Sequence, residues 1–106
     1  MQREIDYVKL GVRIKAVRQN RGMTQERLAE LVGVNTSHVS NTENAHTKVS
    51  LGVLVAVANV LETSVDYLLS DQYDETTHAL DRAIWKALKK CDNQKKEKIL
   101  KIIEIL

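Results

Sequence analysis

The 106-residue sequence predicts an all-α fold: five helices in an N-terminal domain over residues 1–70, then a linker and a two-helix unit over 71–106. Three observations predict it. There is no proline and there are only four glycines, which favours helices with short joints over a sandwich of strands. Apolar residues recur at i, i+4, i+7 spacing in successive segments. With no phenylalanine, the core falls to Leu, Val, Ile and Ala, and a 43% hydrophobic content supports a modest one.

Leu10, Ile14 and Val17 share one face of a helix over 7–20, and Gly22 is placed to stop it. Thr24 can cap the next helix, 24–32, although Arg27 stands where a capping box wants Glu or Gln. Leu28, Ala29 and Val32 form its inner stripe, and Gly33 ends it. After a joint of about three residues Asn35 caps a helix over 35–43. Val39 is the one large apolar residue there, so that helix must lie on the surface and show most of itself to solvent or a partner.

Residues 50–61, SLGVLVAVANVL, are the most apolar. Leu51, Leu54, Val55, Ala58 and Leu61 read as the main stripe, with Val53, Ala56, Val57 and Val60 as a second apolar side. Ser64 caps a short helix, VDYLL, that ends near Ser70. SDQYDETTH, 70–78, reads as a polar linker. Beyond it Leu80, Ala83, Ile84, Ala87, Leu88 and Cys91 form a stripe that leaves Trp85 outside, among Arg82 and Lys89. Asp92 or Asn93 can cap the last helix. There Ile99, Ile102, Ile103 and Leu106 share a face, and Lys95, Lys96, Lys98 and Lys101 solvate the rest.

The net charge of +2 hides a segregated distribution: +4 over 1–23, −1 over 24–49, −5 over 50–75 and +4 over 76–106. Such a chain can present a basic face while nearly neutral overall. No apolar run approaches the roughly 18 residues of a membrane span. The charged start, MQREIDYVKLGVRIK, lacks the apolar centre of a signal peptide, so a cytoplasmic location and no membrane partner are expected. The single cysteine, Cys91, excludes a disulfide framework and is expected to be a small buried hydrophobe. His46 and His78 have no neighbours at metal-ligand spacing, and no carboxylate completes a triad with the Ser, Thr and His residues of 36–42. Neither an enzyme, a metal nor a cofactor is expected.

Two short helices joined by about three residues, with Gly at the turn, have helix-turn-helix spacing. The residues are more telling: RGMTQERLAELVGV, then VSNTEN, then LETSVDYLL. Residues 10–71, about 60% of the chain, resemble the DNA-binding domain of phage Cro and CI repressors and the xenobiotic-response-element family of bacterial regulators. The resemblance implies a five-helix, lambda-repressor-like domain on double-stranded DNA, the helix at 35–43 entering the major groove N-terminal residues first. Position by position, Thr36, Ser37 and Asn41 match residues that face base edges, with His38 and Ser40 beside them. Gln25 matches a phosphate contact, and Arg18 with Glu43 matches a pair bridging the first and third helices.

GVNTSHVSNTEN, 33–44, holds no arginine or lysine, yet base reading needs short donors and acceptors rather than bulk charge. Asn41 can pair bidentately with adenine, and Thr36 and Ser37 can bond to bases or touch a thymine methyl. Positive charge belongs on the phosphate-facing flanks, with Arg13, Lys15, Arg18, Arg21, Arg27 and Lys48 as candidates. Lacking the arginine contact to guanine, the site is expected to lean towards A·T. Thr42, Ala45 and Val49 depart from the family's usual Ile or Leu, Gly and Pro, which affects the loop geometry of 44–50. The second side of the helix at 50–61 (Val53, Val57, Val60) and the C-terminal residues Trp85, Ile99, Ile102, Ile103 and Leu106 are expected to form a homodimer. Two alternatives stay open: the C-terminal helices only cap the monomer's own core, or they hold another protein, as in an antitoxin.

Overall fold

The computed structural model describes residues 4–73 and 75–106, and of 75–78 only the helical backbone. The side chain of His78 therefore lies outside the described residues. The chain divides into two units after Tyr73. The first holds α1 (Tyr7–Asn20), α2 (Gln25–Val32), α3 (Thr36–Glu43), α4 (Leu51–Val60), α5 (Val65–Leu68) and a 3-10 turn at Ser70–Gln72. The second holds α6 (Glu75–Lys89) and α7 (Asn93–Ile105).

Each helix of the first unit starts on a side-chain cap. Asp6, Thr24, Asn35, Ser50 and Ser64 accept from the backbone N–H of Lys9, Arg27, His38, Val53 and Tyr67. A cap of this kind is worth about 1 kcal/mol, which matters most for the eight-residue α2 and α3. The core is Leu10 and Ile14 of α1, Leu28 and Ala29 of α2, Val39 of α3, Leu54, Val57 and Ala58 of α4, then Leu61 and Leu68.

Three expectations are corrected. The buried stripe of α4 is Leu54, Val57, Ala58 and Leu61, while Leu51 is 76% exposed and Val55 47%. Almost every position of α4 is apolar, so periodicity carries no phase, and packing against α2 and α5 selects the face. Val57, 3% exposed, is thus internal and unavailable to a second subunit, and Val53 and Val60 are half-buried against the same core.

The described part of the stretch read as a linker is structured. Ser70 is buried, its hydroxyl donating to the Tyr67 carbonyl, and Asp71 and Gln72 are bonded to α1. α6 then begins at Glu75, without the polar gap expected up to residue 78. The third correction concerns α6 itself. Its half-buried positions include Trp85 and Leu88, whereas Leu80 and Ile84 are exposed. Trp85 and Leu88 line a groove of about 320 Å3 with Ile99, Leu100 and Ile103 of α7. The large ring, rather than the aliphatic run, sets the inward face.

Asp92 caps α7 by accepting from the Lys95 N–H, and Cys91 is half-buried, its thiol 3.4 Å from the Ala87 carbonyl. α7 buries none of its residues. Among the described residues no helix is long and apolar enough to cross a membrane, and no group of His, Cys, Asp or Glu is placed to hold a metal ion.

Candidate nucleic-acid interface

Gly33 makes the turn between α2 and α3. Its φ of +87° is left-handed, a conformation that costs an L side chain about 1–2 kcal/mol, and it lets the Gly33 and Val34 N–H groups both close on the Ala29 carbonyl. Asn35 then caps α3 twice over: its carboxamide oxygen accepts from the His38 N–H at 3.0 Å and from the Ser37 hydroxyl at 2.9 Å. With its proton given to Asn35, the exposed Ser37 hydroxyl keeps its oxygen as an acceptor. Ser37 and Asn41, one turn apart, are exposed, and Asn44 continues the same face at i, i+7. Thr36 and Ser40 flank that face and are half-buried. Asn44 was not singled out from the sequence, although its spacing from Ser37 and Asn41 was the signal for it.

His38 does not belong with these residues. Its ring lines a void of about 10 Å3 together with Ile14, Leu28, Val34, Val39 and Thr42, and its Nε2 is buried without a hydrogen-bond partner. The expected base contact is therefore a side chain turned into the fold. Thr42, on the underside of α3, is buried and satisfies its hydroxyl on the His38 carbonyl at 2.8 Å.

The underside of α3 is fastened by charge. The Glu43 carboxylate accepts from Arg18 Nε at 2.6 Å and Nη2 at 3.0 Å, a bidentate pair buried on both sides. Arg18 Nη1 donates to the Met23 carbonyl, and Gln25 Nε2 donates to Glu43 Oε1 at 3.0 Å. Each buried charge thus has its partners, and removing one from such a pair typically costs about 3–5 kcal/mol. The constellation ties α1, the start of α2 and the end of α3 together, and it holds Gln25 at the first turn of α2.

The six cations expected on phosphates divide into two groups. Three are committed elsewhere. Arg18 is in the buried pair. Arg21 donates to the Leu61 and Glu62 carbonyls at the end of α4, at 2.9 and 3.1 Å. Arg13 pairs with Asp71 at 2.5 Å and stacks 4.8 Å over the Tyr67 ring. Burial works against the Arg13 charge, but the bond to Asp71 and its negative charge outweigh this and raise the pKa. The other three are exposed: Lys15, Arg27 in an i, i+3 pair with Glu30, and Lys48, whose ammonium lies 6.0 Å from the Tyr7 ring.

Sequence reasoning missed Gly11. A Cβ there would lie 2.3 Å from the Glu43 carbonyl oxygen and 2.7 Å from that of Thr42, so the end of α3 rests directly on the backbone of α1. Only a glycine permits that approach.

A helix-turn-helix family model matches residues 14–68. The chain is 40% identical over 70 residues to the transcriptional regulator SinR of Bacillus licheniformis, covering 65% of this chain and 62% of that one. Its fold is similar to that of the restriction-modification controller protein C.AhdI of Aeromonas hydrophila, with a TM-score of 0.59, 34% identity, and coverage of 61% of this chain and 98% of the other. The P22 c2 repressor, solved in complex with a synthetic operator, gives a TM-score of 0.54 at 35% identity over 57% of this chain and 91% of that one. The chain spans less than half the length of the first curated relatives it matches.

Proposed function

The chain belongs to the helix-turn-helix family, and on that footing we propose that it is a sequence-specific transcription regulator, most simply a dimeric repressor, reading the DNA major groove with α3. One observation carries the proposal: an exposed polar face of Ser37, Asn41 and Asn44 on a capped helix whose opposite side is fastened by the buried Arg18–Glu43 pair. Base edges are read by short side chains held rigidly, and Asn41 has the donor and acceptor for adenine N7 and N6. Thr36 and Ser40 stand beside it. Gln25, Lys15, Arg27 and Lys48 supply the phosphate side, because the other three cations are used inside the fold.

Selection of bound sequences from random duplex DNA tests this. A two-fold-symmetric, A·T-leaning site should be enriched, and Asn41→Ala should relax one position at a cost of about 1–3 kcal/mol. Weak, salt-sensitive binding with no enriched sequence overturns the proposal. The groove between α6 and α7 favours a second role, the holding of a protein partner on the same DNA-binding core. Co-purification of a defined second polypeptide is the observation that tests it.

A further inference from the structure

The residues that lead out of the first unit grip α1 in two places. Gln72 closes a pair of hydrogen bonds on Asp6: the Asp6 N–H donates to Gln72 Oε1 at 2.8 Å, and Gln72 Nε2 donates to the Asp6 carbonyl at 3.0 Å. Asp6 is also the N-cap of α1. One residue earlier, Asp71 takes Arg13 in the ion pair that stacks on Tyr67. The two grips straddle Gly11, the residue on which the carbonyls of Thr42 and Glu43 rest with no room for a methyl group. A seat without slack passes on any displacement of the helix beneath it.

We propose that Asp71 and Gln72 are positioning residues for DNA reading, acting through α1 on the seat of α3. The proposal rests on the DNA-reading role given above. The start of the stretch that reads as a linker in the sequence is then part of the reading apparatus, and the second unit begins at residue 74, two residues past Gln72.

Full-length Gln72→Ala, Asp71→Asn and the swap Arg13→Asp with Asp71→Arg test it at a temperature where circular dichroism shows each variant folded. Two quantities are read: the dissociation constant for the selected duplex, and hydrogen exchange at the amides of Asn44, Ala45 and His46, which bond to the Ser40, Thr42 and Asn41 carbonyls. Each single variant should bind roughly fivefold more weakly, the equivalent of one net hydrogen bond, and exchange faster at those three amides. The swap should recover most of both. Unchanged exchange at Asn44–His46 while the Asp6 and Lys9 amides open overturns the proposal, as does weaker binding without faster exchange, which would put the clasp on DNA directly. If the wild-type chain reads no sequence, the exchange measurement still decides whether the clasp and α3 are coupled.

Discussion

Ala45 and Glu62 sit in left-handed backbone, at φ 60° and 55°, just past the ends of α3 and α4. An L side chain pays about 1–2 kcal/mol for that conformation, and glycine does not. Ala45→Gly should therefore raise stability by about 0.5–1 kcal/mol, after the extra freedom it gives the unfolded chain is discounted. A shift of the urea midpoint at constant slope measures it, and no shift means the loop carries no strain. Ala45 was legible in the sequence, because the resemblance marks the position where Gly usually stands. Gly11 was not legible. Its requirement arises from two carbonyls more than thirty residues away, and a lone glycine inside a helical stripe looks like a mild defect rather than a contact. The commitments of Arg13 and Arg21 were hidden for the same reason, since their acceptors lie 58 and 40 residues off.

At the scale of single helices, α3 shows what periodicity can and cannot decide. Its bounds, its cap at Asn35 and its single anchor at Val39 follow from local sequence, and all are found in the structure. Which polar residues face outward does not follow, because TSHVSNTE has no apolar stripe broad enough to set a phase. The inward turn of His38 is the consequence, and it is testable. His38→Leu removes a buried, unpartnered Nε2 and suits the apolar walls of its void, so stability should rise by about 1 kcal/mol. The DNA sequence selected should stay the same. A change of preferred base with His38→Leu would place the ring in the groove after all. α4 and α6 teach the complementary lesson. One is apolar nearly all round and the other carries a tryptophan outside its aliphatic run, and in both the inward face was set by the packed neighbour.

Across the whole molecule, the two units differ in how well they bury themselves. Among the described residues, the first closes a core of ten buried apolar side chains. The second leaves Ile102, Ile103, Ile105 and Leu106 exposed, the last two by 83% and 98%, and its second helix buries nothing. Burying an Ile or Leu side chain is worth roughly 1.5–3 kcal/mol, so a second copy that covers several of them supplies enough free energy for association at micromolar concentration. Homodimerisation through α7 would also supply what a single α3 lacks, since one eight-residue helix reads too few base pairs to find a site, and two set about 34 Å apart read a symmetric pair. With Val57 inside the core and Val53 and Val60 half-buried against it, the contact expected at α4 is withdrawn, and the dimer should depend on the C-terminal residues alone. Ile103→Asp should give a monomer in sedimentation equilibrium while leaving the fold of the first unit intact by circular dichroism. Its affinity for a two-half-site duplex should fall far more than its affinity for one half-site. Equal losses on the two duplexes, or a wild-type chain that sediments as a monomer at high micromolar concentration, would remove the dimer and leave α6 and α7 as a surface for a different protein.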